Sequence, residues 1–489
     1  MLFSSLIFLF VFLPIVLIVN FILKGSARNY FLLAASLIFY AWGEPRFVLV
    51  MIASIIVNYL FGVLIANAKF PKQSGDASPT TGDVKRAKLY LILDIIVNLG
   101  ILFIFKYLNF AISNIDRIFG DILPQTAIAL PIGISFFTFQ AMSYVIDVYR
   151  GNVEAQRNPF YLGLYISLFP QLIAGPIVRY SDIESQIVNR TVTADSFGEG
   201  VRRFLIGFNK KILIANNMAI VADWAFNCVS DGSLSASAAW LGALCYTLQI
   251  YFDFGGYSDM AIGLGRMLGF TYMENFNYPY LSKSATEFWR RWHISLGSWF
   301  RDYVYIPLGG SRVSAGRHIF NLFVVWALTG MWHGANWTFI VWGLLYFVLL
   351  VFEKKTGFVK DSDSKFVNAF KHVYALFFVV LGWVIFRSDS LALAGAYIKT
   401  MFGFGGVTSS SEVIFYLHEY WVFIVVAIIY STSAFAKLRN RILRMSSQRD
   451  GSGENLLTIC GNLVYILLFL VSVSYLVIGS YNPFIYFNF

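Results

Sequence analysis

One histidine of this sequence lies deep inside an apolar stretch. His333 stands near the middle of residues 318–352, whereas His318, His372 and His418 lie beside charged residues at the ends of apolar segments, where placement at a membrane interface explains them. An ionisable side chain at membrane depth is costly and usually functional, although a buried neutral histidine can also serve packing alone. If it is functional, a neutral His333 suits general-base catalysis.

The fifth histidine, His293, belongs to a segment that is both basic and aromatic, residues 287–302. If this segment is one helix, spacings of three and four residues place four polar side chains on a common face. They are Glu287, Arg290, Arg291 and Ser295. Two interpretations stay open. The segment is either an interfacial amphipathic helix or a positively charged cytoplasmic entrance for an anionic substrate, with His293 at its inner end.

Other polar side chains lie in apolar segments upstream. Asp253 and Asp259 can form a proton path, orient a histidine, or accept hydrogen bonds from buried backbone, and we favour the last two roles. Pro170 and Pro176 predict an interrupted helix around Gln171. Because such breaks often line cavities, Gln171 is a further candidate for a cavity wall.

Familiar catalytic and metal-binding motifs are absent from the sequence. It has no Walker A motif, no GxGxxG after a strand, no GxSxG and no HExxH, so nucleotide hydrolysis and zinc proteolysis have no support. Cys228, Cys245 and Cys460 stand apart without CxxC spacing, and we expect neither disulfides nor a metal site.

The composition identifies the elements that must position these residues. Of 489 residues, 58% are hydrophobic and 13% are charged, the latter about half the share of roughly 25% in soluble domains. We therefore expect a membrane-embedded chain. Its formal charge of +10 indicates basic cytoplasmic loops rather than nucleic-acid binding.

Apolar segments approach the length of about 20 residues that crosses a bilayer as a helix. They cover 2–23, 29–41, 46–66, 89–108, 130–148, 159–178, 204–226, 236–263, 366–386, 419–436 and 456–479. We expect the first to be an uncleaved span. The basic loops alternate with loops poor in Lys and Arg, which predicts that both termini lie outside the cytoplasm. The polar stretch Gln73–Asp83 is predicted to be a flexible cytoplasmic loop.

Residues 318–352 are too long for one span, because they would measure about 52 Å as a straight helix against a hydrocarbon core of about 30 Å. Basic residues flank the stretch on both sides. The chain is therefore predicted to enter the membrane and return, with its turn within Gly330–Asn336. His333 would then line an interior cavity.

Three segments resemble signature stretches of the membrane-bound O-acyltransferase (MBOAT) superfamily. They are Tyr251–Gly263, Glu287–Gly310 and Leu328–Trp337. The resemblance is closest to the bacterial branch typified by the membrane subunit of alginate O-acetylation. It extends to Arg28–Glu44, Phe169–Pro176 and Asn482–Phe489, and so to essentially the whole chain.

The resemblance implies an all-α, polytopic protein of the bacterial inner membrane. Its multi-helix bundle would surround a central tunnel or funnel with re-entrant segments. Residues 1–489 would form one domain, with a core at about 130–352, peripheral N-terminal helices in 1–108 and C-terminal helices in 366–489.

The family's tunnel histidine matches His333, and its second polar position matches His293. The implied donor is cytoplasmic acetyl-CoA, with no tightly bound cofactor and no metal. The acyl group would reach a hydroxyl on the outer side, and an exported SGNH hydrolase-like partner would complete transfer to a polysaccharide.

In the implied mechanism, His333 accepts the proton of the acceptor hydroxyl as the hydroxyl attacks the thioester. His293, supported by Trp332 and Asn336, would orient the donor or stabilise the oxyanion. Guanidinium groups suit phosphates, and the candidates for binding the coenzyme are Arg290, Arg291 and Arg301. Asp253, Asp259 and Gln171 would also line the tunnel.

Two alternatives differ in function. A transporter or polymer export channel would also use intramembrane His and Asp residues and broken helices, but it predicts an internal repeat, and the two halves of the sequence show no convincing similarity. The same fold could instead transfer D-alanine to teichoic acid or acylate a lipid.

Overall fold

The computed structural model of the protein consists of α-helices joined by turns and loops. It describes residues 1–69, 81–124, 126, 128–360, 362–407, 411–447, 451–479 and 481–485. Over these residues no strand forms, and the only bridge pairs Ser235 with Val407. The all-α, polytopic class predicted from the sequence is confirmed, and the central tunnel stays a prediction. Residues 73–80 of the predicted loop and residues 486–489 of the terminal motif lie outside the described residues.

The helices follow one another in this order: α1 Leu13–Ile22, α2 Gly25–Gly43, α3 Val48–Lys69, α4 Thr81–Leu102, α5 Leu108–Phe119, α6 Ile134–Arg150, α7 Pro159–Ser167, α8 Phe169–Leu172, α9 Tyr180–Val188, α10 Ala194–Asn209, α11 Asn216–Ser230, α12 Ala236–Leu268, α13 Ala285–Arg291, α14 Ile294–Phe300, α15 Ala315–His333, α16 Trp337–Thr356, α17 Lys365–Arg387, α18 Leu391–Met401, α19 Ser411–Tyr430, α20 Ala434–Ser447 and α21 Gly451–Val477. Wider π-helical turns cover Phe8–Phe12, Phe103–Tyr107, Lys210–Ala215 and Arg301–Tyr305.

The chain forms two units. The first comprises Met1–Val201 and Ala261–Met273, and the second comprises Arg202–Met260 and Glu274–Phe489. In the first unit α3 packs against α4, α6 and α7, and in the second unit α16 packs against α15 and α17. Both histidines singled out from the sequence belong to the second unit. The single domain inferred from the sequence stays a prediction.

Seven helices of the described residues are long and apolar enough to cross a membrane. They are Val48–Lys69, Gly82–Phe119, Ala194–Ser230, Trp337–Thr356, Lys365–Arg387, Ser411–Tyr430 and Thr458–Val477. The segment predicted at 419–436 is wrong in its bounds. That helix begins at Ser411 and ends at Tyr430, because the polar residues 431–433 turn the chain before the next helix starts.

The predicted turn within 318–352 is confirmed. Helix α15 ends at His333, and α16 begins at Trp337 after three residues of non-helical chain. Glycines let the two helices approach closely. A Cβ added to Gly330 would lie 2.5 Å from the carbonyl oxygen of Phe339, and one added to Gly343 would lie 2.5 Å from that of Trp326.

The predicted interruption near Gln171 is also confirmed. Helix α7 ends at Ser167, and the short helix α8 covers Phe169–Leu172 before the chain turns. Residues 159–178 are therefore not one continuous span.

Candidate functional site

Residues 287–302 do not form the single helix on which the shared polar face depends. Helix α13 ends at Arg291, and α14 begins at Ile294. Between them His293 has a φ of 46°, a left-handed conformation that is strained for a residue with a side chain. Ser295 consequently lies on a different helix from Glu287, and the polar face proposed from the spacing does not form.

Asn275 holds the buried ring of His293. Its Oδ1 accepts hydrogen bonds from the backbone N–H of Ser295 at 3.2 Å and from the Ser295 hydroxyl at 2.9 Å. The same oxygen lies 3.2 Å from Nδ1 of His293. Because an amide nitrogen could not accept the Ser295 N–H, the atom facing the ring is oxygen, and Nδ1 must donate.

This contact fixes the tautomer of His293. Burial lowers the pKa of His293, which lies outside the seven candidate spans, to about 3. The ring is therefore neutral over ordinary pH, with its proton on Nδ1 and its hydrogen-bond acceptor at Nε2. Asn275 was not predicted, because nothing in its local sequence distinguishes it from Asn277 nearby.

A cavity of about 470 Å³ opens beside this helix break. Its wall includes His293, Arg290 and Arg301, together with Trp326 and Thr329 of α15. We call it the arginine cavity. The structure therefore brings together three of the residues predicted for a basic entrance.

The three predicted arginines have different surroundings. Arg290 is exposed, and no ion pair involving it occurs within the described part of the chain. Arg301 pairs with Asp302 at 2.7 Å. Arg291 does not line the arginine cavity, because it pairs with Glu287 at 2.8 Å and donates to the carbonyl oxygen of Asn277.

A fully buried carboxylate attaches α13 to α16. Glu353 accepts hydrogen bonds from the backbone N–H groups of Ala285 at 2.6 Å and Thr286 at 2.9 Å, and from the Thr286 hydroxyl at 2.6 Å. A carboxylate at a helix N-terminus satisfies free N–H groups and interacts favourably with the helix dipole. Glu353 thus positions the helix that carries Arg290. In the sequence Glu353 looks like an ordinary charged residue at the end of an apolar segment, because Lys354 and Lys355 follow it directly.

Aromatic contacts connect the two histidines. The centroid of the His293 ring lies 5.7 Å from that of Trp332, and the Trp332 and His333 centroids are 4.9 Å apart. His333 ends α15, is 5% exposed, and meets the rings of Trp342 and Phe386 edge to face. His333 is not part of the wall of the arginine cavity. Trp332 lies between it and His293, which is part of that wall.

A second cavity of about 390 Å³ includes Phe386 in its wall. We call it the polar cavity. Asn336 lines this cavity and not the arginine cavity. Its side chain caps α16 by accepting from the N–H of Thr338 at 3.1 Å, and it donates to the carbonyl oxygen of Asp389 at 2.8 Å. A supporting role of Asn336 toward the donor stays a prediction.

The two aspartates of α12 form ion pairs. Asp253 pairs with Lys211 at 2.7 Å, both side chains being almost fully buried, and it accepts from the backbone N–H of Ile485 at 3.0 Å. Asp259 pairs with Lys210 at 2.7 Å and with Arg203 at 2.7 Å. The backbone contact of Asp253 is of the kind expected for a structural role, and an orienting role of either aspartate toward a histidine stays a prediction. Neither aspartate lines the arginine cavity or the polar cavity.

Gln171 lies in the first unit. Its side chain is fully buried, and its Nε2 donates to the carbonyl oxygen of Tyr165 at 2.6 Å. The amide therefore binds backbone beside the helix interruption, and a role in lining a tunnel stays a prediction.

Comparison of the sequence with known proteins relates the chain to one family. The sequence model described as MBOAT, membrane-bound O-acyltransferase family, matches residues 105–395. The chain is 42% identical to a protein of Pseudomonas putida named probable alginate O-acetylase, over 100% of both chains. It is 36% identical to the peptidoglycan O-acetyltransferase of Helicobacter pylori, over 83% of this chain and 81% of the relative.

A more distant relative has a different named reaction. The teichoic acid D-alanyltransferase of Bacillus subtilis is 28% identical over 52% of this chain and 68% of its own length.

Proposed function

The chain belongs to the membrane-bound O-acyltransferase family, and we propose that it acts there as an O-acetyltransferase that uses acetyl-CoA and serves a polysaccharide outside the cytoplasm. The relatives that match most of the chain are named for O-acetylation. The D-alanyltransferase matches only 52% of the chain, so D-alanyl transfer is the weaker alternative.

The observation that carries the proposal is the arginine cavity. Its volume of about 470 Å³ falls within the range of roughly 300–1,000 Å³ that is usual for small-molecule sites. Arg290 and Arg301 supply guanidinium groups for the phosphates of coenzyme A. The inferred orientation places this basic region on the cytoplasmic side, where the donor is available.

His333 acts as the general base in this proposal. Its neutral ring takes the proton of the acceptor hydroxyl while the hydroxyl oxygen attacks the thioester carbonyl. The tetrahedral intermediate then expels the coenzyme thiolate, which receives the proton from His333. The products are an acetyl ester and free coenzyme A. General-base assistance of this kind typically contributes about 10²–10⁴-fold to the rate.

The tautomer of His293 favours one of its two proposed roles. With the Nδ1 proton directed to Asn275, Nε2 is a hydrogen-bond acceptor, and an acceptor cannot stabilise an oxyanion. We therefore assign His293 to orienting the donor by accepting from an amide N–H of the pantetheine arm. An exported SGNH-type partner then completes transfer to the polymer, with the membrane protein in the bacterial inner membrane and both termini outside the cytoplasm.

Cell-surface polymers provide the test. Mass spectrometry of polymers from cells without the gene should reveal loss of acetyl groups, which the wild-type gene restores and the His333→Gln variant does not. Unchanged acetylation of every polymer would contradict the proposed acceptor class.

A further inference from the structure

The wall of the polar cavity contains three buried polar groups that make no hydrogen bond among the described residues. They are the hydroxyl of Tyr246, Oε1 of Gln249 and Oγ1 of Thr338. Each of these residues is at most 3% exposed. Buried polar groups in folded proteins nearly always have a partner, and leaving one without a partner lowers stability. Three such groups around one cavity indicate a polar ligand.

The charges of the wall restrict the chemistry of that ligand. The described wall contains the carboxylates of Asp223 and Asp389 and the guanidinium of Arg387. Arg387 pairs with Asp223 at 2.7 Å, and the Tyr481 hydroxyl donates to the same carboxylate at 2.7 Å. Two carboxylates against one guanidinium give a negative formal charge, opposite in sign to that of the arginine cavity. An anionic ligand is therefore disfavoured.

The position of the cavity connects it with the histidine. Phe386 and Phe339 line the polar cavity, and their ring centroids are 4.9 Å apart. The centroid of Phe386 also lies 5.1 Å from that of His333. A ligand in the polar cavity is thus one aromatic ring away from the proposed general base.

We propose that the polar cavity binds an uncharged, hydroxyl-rich sugar residue in preference to a uronate. Tyr246, Gln249 and Thr338 would exchange hydrogen bonds with its hydroxyl groups. The identity of this sugar as a residue of the polymer that is acetylated rests on the proposed function, whereas its binding does not require the donor.

The test measures binding by the full-length protein in detergent, without acetyl-CoA. Isothermal titration calorimetry compares a neutral cello-oligosaccharide with a mannuronate oligomer of equal length. The neutral sugar should bind saturably and more tightly. In the variants Tyr246→Phe and Thr338→Val, loss of one hydrogen bond should weaken binding about three- to tenfold.

Thermal unfolding separates this proposal from a structural role. Removing a buried group that has no partner in the protein should leave the melting temperature unchanged or raise it, while sugar binding weakens. Thr329→Val is the matched control, because Thr329 lines the arginine cavity and its hydroxyl already donates to the carbonyl oxygen of Val325. This control should bind the neutral sugar as the wild type does.

Three results would overturn the proposal: absence of neutral-sugar binding, equal affinity for the uronate, or unchanged affinity in both variants. None of these results affects turnover of acetyl-CoA, so the proposed acetyltransferase function would remain intact. Conversely, sugar binding without any acetyl-CoA turnover would reject the acetyltransferase function and leave the polar site standing.

Discussion

Asn275 fixes the tautomer of His293 through its contact with Nδ1, and the variant Asn275→Asp tests this assignment. Aspartate keeps the size of the side chain and an oxygen toward Nδ1 of His293, which lies 3.2 Å from Oδ1 in the wild type. It also keeps the acceptor for Ser295. Aspartate also replaces Nδ2, which donates to the Ser258 hydroxyl at 3.1 Å, with an oxygen to which that hydroxyl can donate instead. The remaining change is a negative charge beside the ring.

The direction and size of the effect follow from electrostatics. A carboxylate within about 4–6 Å favours the charged imidazolium and typically raises a histidine pKa by about 1–3 units. Starting from about 3, the pKa of His293 in the variant should reach about 4–6. Protonation converts Nε2 from an acceptor into a donor, which abolishes the proposed contact with the pantetheine amide.

The assay is the KM for acetyl-CoA between pH 5 and pH 8. In the wild type, His293 should stay neutral across this range. In Asn275→Asp the KM should rise as the pH falls below about 6, while it approaches the wild-type value at pH 8. Asn277→Asp is the matched control, because it adds the same charge two residues away. Identical pH profiles for the two variants would refute the tautomer argument.

Two further predictions concern the cavity wall and the helix turn. Arg290→Gln should raise the KM for acetyl-CoA about tenfold or more with little change in kcat, because a charge-assisted contact contributes about 1.5–3 kcal/mol. Arg291→Gln is the control and should leave the KM unchanged, because the side chain of Arg291 pairs with Glu287. If both variants raise the KM equally, the assignment of Arg290 is wrong. Gly330→Ala should lower stability by about 1–3 kcal/mol through overpacking, measured by thermal unfolding, whereas Gly316→Ala on the same helix meets nothing within 4 Å and should have no such effect. Equal melting temperatures for the two alanine variants would contradict the close approach of α15 and α16.

The sequence predicted the large breaks in the helices because local chemistry determines them. Residues 318–352 exceed one membrane span and contain Gly330 and Gly334 at the turn. Pro170 and Pro176 similarly mark the interruption after α7. In both places, chain length and residues that disfavour helix were sufficient evidence.

The break at His293 had no such local signal. Residues 287–302 contain no proline, and Gly297 lies inside α14 rather than at the break. The strained conformation of His293 is accompanied by tertiary contacts, with Asn275 and with the ring of Phe254 at 4.6 Å. Periodicity within one segment cannot predict such contacts.

Long-range polar pairs were also beyond prediction from the sequence. Glu353 contacts the start of α13 from 68 residues away, and Arg387 pairs with Asp223 across 164 residues. Each residue alone resembles an ordinary charge near the end of an apolar helix. Only the folded arrangement identifies Glu353 as a helix cap and Asp223 as part of the polar cavity.

Removal of the acceptor's proton by His333 is tested by the rate at which the purified protein transfers acetyl from acetyl-CoA. His333→Gln retains a side chain of similar size, and thermal unfolding should verify that this variant is folded. His372→Gln is the control, because its ring contacts the carbonyl oxygen of Ser282, and neither cavity wall includes it. His333→Gln should lose about 10²–10⁴-fold in rate, while His372→Gln should retain wild-type turnover. Wild-type turnover by a folded His333→Gln variant would show that His333 is not the general base.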